Sequence, residues 1–65
     1  MNYWKVFMRN GKEYFIVADN ISNGLEDDNF YFLRNGYVNE VATFPKQGVE
    51  AIIATDENGF ILGKS

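Results

Sequence analysis

Sixty-five residues make one domain, and a chain this short needs a dense core or outside help to be stable. With no cysteine and no histidine, that help is neither a disulfide nor the usual zinc site, and Ser-His-Asp or Cys-His catalysis is excluded. The net charge of −3 comes from 9 acidic against 6 scattered basic residues, a poor match to duplex nucleic acid, so the core must come from aromatics, 17% of the chain.

In chain order, residues 3–19 read as two strands around Asn10-Gly11, a strong hairpin signal. A two-residue loop pairs Arg9 with Lys12, Phe7 with Tyr14, Val6 with Phe15, Lys5 with Ile16 and Trp4 with Val17. Alternation along the strands then gives one face with Trp4, Val6, Phe15 and Val17, Met8 lying towards the turn. That face reads as core. The other carries Tyr3, Lys5, Phe7, Tyr14, Ile16 and Ala18. A face turned to water would be more polar. It is therefore expected to meet a later strand of the same chain, a partner, or a second copy. Tyr3, Lys5, Phe7, Tyr14 and Ile16 are the candidate partner-binding residues.

Residues 20–29, Asn-Ile-Ser-Asn-Gly-Leu-Glu-Asp-Asp-Asn, carry turn chemistry and read as the longest loop, anchored inward by Ile21 or Leu25. Asn20-Ile21-Ser22 matches a glycosylation sequon, a coincidence in a chain with no secretory signal. A second hairpin follows over 30–45. A two-residue Asn35-Gly36 loop would set Leu33 against Val38 and Phe32 against Asn39; a loop of four to six residues is equally tenable and shifts every pair. Phe30, Phe32 and Val41 read as its core face. Pro45, which has no donor for a ladder, belongs at a strand end or edge, and Pro45-Lys46-Gln47-Gly48 is a turn. Residues 49–55 read as a strand apolar on both faces, central or doubly covered. Asp56-Glu57-Asn58-Gly59 is a third turn, leading to a last short strand, Phe60-Ile61-Leu62. No stretch holds a helical stripe.

The expected fold is all-β: five or six antiparallel strands in a meander, curled into a small SH3-like barrel or roll spanning residues 1–65. Closure of that kind protects strand edges. The acidic pairs Asp27-Asp28 and Asp56-Glu57 read as turn residues rather than catalytic pairs, and neither stretch supplies the oxygen count of a calcium loop. The tail Gly59 to Ser65 ends in Gly-Lys-Ser but has the wrong spacing for a phosphate loop and no helix to open. No cofactor and no catalytic residue is expected. The start, Met1-Asn2-Tyr3-Trp4, lacks the form of a signal peptide, and no apolar stretch reaches membrane-spanning length, so a cytoplasmic location is expected.

The order Asn10-Gly11-Lys12, Ala18-Asp19, Glu26-Asp27-Asp28 before Phe30-Tyr31-Phe32, then Val41-Ala42-Thr43-Phe44-Pro45 and Val49 to Ile53 resembles small β-meander proteins of Gram-positive bacteria and their phages. The resemblance covers Trp4 to Ile53; the segment after Ala54 departs from it. It lends no catalytic residue. It implies a phage or prophage accessory protein, of a kind that often binds and inhibits a host protein.

The residues thus point to a small non-enzymatic protein-binding module, working on a partner or on itself as a homodimer. Acidic residues around the aromatics (Asp19, Glu26 to Asp28, Glu40) suit a basic partner. The alternative is a single-stranded nucleic-acid-binding barrel using Tyr3, Phe7, Tyr14, Tyr31 and Tyr37 as a stacking platform. A metabolite pocket is a third reading, for which so short a chain has little room.

Overall fold

A computed structural model describes residues 2–24 and 27–62. The chain is all-β apart from one turn of 3-10 helix: β1 (Asn2–Met8), β2 (Glu13–Ala18), β3 (Asn20–Asn23), β4 (Asn29–Arg34), β5 (Asn39–Pro45), the helical turn Lys46–Gly48, and β6 (Val49–Thr55). Two antiparallel sheets form. Sheet A has the order β2-β1-β6 and sheet B the order β3-β4-β5. The meander is broken twice: β2 and β3 lie in different sheets, and β6 returns to pair with β1 rather than with β5. The expected closure into one barrel does not occur among the described residues: the two ladders stay separate, stacked in a body 16 Å through its thinnest dimension.

The Asn10-Gly11 hairpin forms, with a register one residue away from the expected one. Gly11 N donates to Met8 O at 3.0 Å, and Met8 N donates to Lys12 O at 2.8 Å. Met8 therefore faces Lys12 across a three-residue loop, Arg9-Asn10-Gly11. A two-residue Asn-Gly loop needs positive φ at both positions. Here only Gly11 has it, at +91°, the geometry of a bulged three-residue loop. Phe7 consequently pairs with Glu13, Val6 with Tyr14, Lys5 with Phe15, Trp4 with Ile16 and Tyr3 with Val17. A one-residue slip sends every side chain of β2 to the opposite face. Ile16 and Ala18 join Trp4, Val6 and Met8 inside, and Phe15, expected in the core, stays 44% exposed on the outside.

The corner between the sheets is Asp19. Its N–H donates to Leu33 O at 2.8 Å, and its Oδ2 accepts from Asn35 N at 2.9 Å. Asn2 Nδ2 donates to Asp19 O and Asn20 Nδ2 to Gly36 O, both at 3.0 Å. Backbone groups freed by the bend are thus paired, as buried or partly buried ones must be. Past the corner the residues read as a loop begin with a strand: β3 pairs Ile21 with Phe32 and Asn23 with Phe30. Ile21 packs on the core as one of the two anticipated anchors; Leu25 lies outside the described residues.

The β4–β5 hairpin takes the longer of the two loops, residues 35–38, with Arg34 opposite Asn39 and positive φ at Asn35 and Gly36. The register shifts between Phe32, which faces Ala42, and Leu33, which faces Glu40. Val41 is the extra residue of that bulge and is exposed, not core. Phe44 takes the inward place instead, opposite Phe30. Pro45 ends β5, as its missing donor requires.

The core is an aromatic stack between the sheets. Phe32 is fully buried and meets Trp4 (ring centroids 6.4 Å) and Phe44 (5.7 Å) edge-on. Val6, Ala18 and Val49 close around it. Burying a side chain the size of Phe32 contributes roughly 1.5–3 kcal/mol. Trp4 Nε1, the polar end of a partly buried ring, donates to Ala18 O at 3.3 Å.

β6 is an edge strand, not a central one. Phe60-Ile61-Leu62 makes no full strand beside it, only an isolated bridge between Ile61 and Thr55 and a bond from Leu62 N to Ala54 O at 3.1 Å. The turn before it repeats the first one: Asp56 N donates to Phe60 O, Gly59 N to Asp56 O, and Gly59 has φ +87°.

Candidate interaction surface

Strand alternation gives each sheet an inner and an outer face, and the two outer faces differ. On sheet B, Ser22, Tyr31 and Thr43 align across the three strands. That face is mostly polar, with Leu33 buried on the same side of β4 as Tyr31. On sheet A the outer face carries Tyr3, Lys5 and Phe7 from β1, Phe15 and Val17 with Glu13 from β2, and Ala51 and Ile53 from β6. Tyr3, Phe7, Phe15, Val17 and Ile53 surround Lys5 there, with Ala51 and Glu13 beside Phe7.

Of the five candidate residues, the structure brings Tyr3, Lys5 and Phe7 together on this face. Tyr14 and Ile16 lie on the opposite one. Ile16 packs against the core, and the Tyr14 ring meets Phe44 at 5.4 Å with its edge still exposed. Their places are taken by Phe15 and Val17. Phe15 stacks on Tyr3 with ring centroids 5.9 Å apart and planes inclined by 16°.

The chain's own C-terminal turn rests on part of this face. A β-carbon placed on Gly59 would lie 3.7 Å from Lys5 Cε and 3.9 Å from Phe15 Cε1, so the turn backbone sits directly over both. Lys5, Phe7, Gly59, Phe60 and Ile61 line a cleft of about 480 Å³. Phe60 is 70% exposed and Leu62 57%, so the turn extends the apolar surface rather than sealing it. A second cleft, of about 400 Å³, opens between the sheets where Trp4 and Ile52 face Ile21 and Phe30, with Lys46 and Glu50 among its lining residues.

The acidic residues serve local structure. Asp56 Oδ1 accepts from Asn58 N at 2.9 Å and Phe60 N at 3.0 Å, closing the last turn. Asp27 accepts from the Tyr31 hydroxyl and from Asn29 N. The Tyr31–Asp27 bond holds the phenol proton and raises the Tyr31 pKa above its ordinary value of 10.0. Lys46 Nζ donates to Gly24 O at 2.9 Å and lies 5.7 Å from the centre of the Phe30 ring. No group of three metal-ligating side chains forms among the described residues. Glu26 and the Gly63-Lys64-Ser65 tail lie outside them. No helix among the described residues is long and apolar enough to cross a membrane.

Comparison of the chain with protein-family models, with curated proteins and with solved structures finds no match.

Proposed function

We propose that this chain is a small non-enzymatic protein-binding module whose binding surface is the outer face of sheet A: Tyr3, Lys5, Phe7, Phe15 and Phe60. One observation carries the reading. The outer face of sheet B is mostly polar, while the equivalent face of sheet A is mostly apolar and aromatic and only partly covered by the last turn. Contiguous exposed apolar surface on a small protein marks a place where another macromolecule sits. The connectivity, with β6 returning through one helical turn to pair with β1, supports an SH3-like relationship in which the two sheets are left unclosed. The resemblance to small phage and Gram-positive proteins favours a host protein as the partner.

The test is capture from a Gram-positive bacterial lysate by the immobilised chain, with two variants beside it. Phe7→Asp, on the sheet A face, should abolish capture and leave the far-ultraviolet circular dichroism unchanged. Thr43→Asp, on the sheet B face, should capture as the native chain does. Equal loss with both variants, or no captured protein, overturns the reading.

Lys5 beside the stacked Tyr3 and Phe15 supports a second reading, single-stranded nucleic-acid binding, in which bases stack and the ammonium meets a phosphate. Titration with an oligonucleotide at low salt decides it. Binding that weakens steeply as salt is added supports it; no binding at low salt removes it.

A further inference from the structure

Three of the four sheet edges carry devices that block strand addition. β3 is only four residues long. β5 is bulged at Val41 and ends in Pro45. β6 is partly covered by the Thr55–Ile61 bridge and the Leu62–Ala54 bond. Among the described residues, the edge of β2 has no proline, no bulge and no covering strand.

Which groups lie open on that edge follows from the register. In an antiparallel ladder, directly opposed residues alternate between bonded and non-bonded pairs. Met8 and Lys12 are a bonded pair. Val6 with Tyr14, Trp4 with Ile16 and Asn2 with Ala18 are then bonded as well. The N–H and C=O groups of Glu13, Phe15 and Val17 point away from β1. Arg34 confirms the direction, since its Nε reaches Val17 O from that side at 3.0 Å. Beyond that contact, no described residue pairs with the edge at Glu13–Val17.

We infer that β2 pairs antiparallel with β2 of a second copy, about a two-fold axis through Phe15, joining the two A sheets into one continuous sheet. The occupant is a second copy because the edge is self-complementary in this register. Phe15 faces Phe15 of the second copy as a bonded pair, and each Glu13 faces Val17 of the other. All the outward N–H and C=O groups of these residues find partners. No like charges are opposed across the axis, and Tyr14 faces Ile16 on the inner side. On the outer face each Phe15 already stacks on its own Tyr3, so the axis generates a continuous aromatic row. Arg34 exchanges Val17 O for the Glu13 carboxylate that the second copy brings to the same place. The pairing uses the backbone edge of sheet A rather than its face, and of the binding surface proposed above it shares only Phe15.

The native chain, purified alone, is followed by sedimentation and light scattering over a concentration series, with amide hydrogen exchange measured at both ends of the series. The mass should rise from 7.5 kDa toward twice that value, and exchange at Phe15 N–H should slow by about tenfold or more. Phe15→Lys and Phe15→Glu each place like charges across the axis and should each remain monomeric. An equimolar mixture should form a dimer, because only at an axial position does one charge meet the other. Phe7→Asp, which disrupts the face, should leave the dimer intact. A native chain that stays at 7.5 kDa overturns the inference. So does a dimer in which Phe15 N–H exchanges as in the monomer, a Phe15→Lys chain that still dimerises, or a folded mixture that does not associate.

Discussion

Phe15 and Phe32 are the same residue type in opposite circumstances. Phe32 is fully buried between two aromatic rings, and Phe32→Ala should cost about 3–5 kcal/mol, enough to unfold so small a domain. Phe15, 44% exposed with one stacked neighbour, should cost about 1 kcal/mol or less on truncation to alanine. Urea unfolding of the two variants checks the contrast; an equal loss would mean that Phe15 is held in a core. Tyr31 makes a separate prediction. Its raised pKa means that the folded state favours the protonated phenol, so this contribution to stability is complete below pH 10.0 and is lost as pH rises through the folded-state value. Asp27→Asn removes the acceptor charge that holds the proton, and Tyr31 should then ionise at lower pH, read from tyrosinate absorbance.

At the scale of the element, two loops with the same pattern, Arg9-Asn10-Gly11 and Glu57-Asn58-Gly59, adopt the same three-residue geometry, each with its glycine at positive φ. Gly11→Ala should destabilise the chain by about 1 kcal/mol, since an L residue resists that conformation while open space around Gly11 adds no clash. Thermal unfolding measures it; an unchanged midpoint would mean that the loop rearranges freely. The turn itself was legible from Asn10-Gly11, but its length was not, because Asn-Gly serves two- and three-residue loops alike. Charge placement held the deciding signal. In the observed register the inner face of the hairpin is Trp4, Val6, Met8, Tyr14, Ile16 and Ala18, with the polar Asn2 and Lys12 only at its two ends, and both Lys5 and Glu13 lie outside. The two-residue register would put Glu13 on the inner face, opposite Met8. Weighing the faces against each other would have found Phe15 and Val17 and released Tyr14 and Ile16. β3 was hidden for a different reason: Asn20-Ile21-Ser22-Asn23 has turn composition, and only pairing with the aromatic β4 makes it a strand.

For the whole molecule, the all-β class, the absence of helical periodicity and the position of Pro45 could be read from local chemistry. The division into two sheets could not, because it depends on β6 returning to β1 across nearly the whole chain. The described residues after Thr55 add one bridge and a turn that rests on Lys5 and Phe15, and none of them belongs to the core cluster. A chain ending at Asp56 should therefore keep its β-sheet circular dichroism, melt at a somewhat lower temperature, and bind more of a hydrophobic dye as the outer face of sheet A is uncovered. Loss of folding on truncation would instead assign the last turn to the core.

The pairing of Tyr3 with Thr55 also sets the order of events during synthesis. β1 is the middle strand of sheet A, yet one of its two neighbours, β6, is synthesised only after β2 to β5. Until then the nascent chain can hold its hairpins but not its sandwich, and the apolar edge of β1 waits without its neighbour. Closing so long a loop must precede most of the contacts that reward it, which places refolding in the slow range of small domains, on the order of milliseconds to seconds. The first of the six described strands is completed only by the sixth.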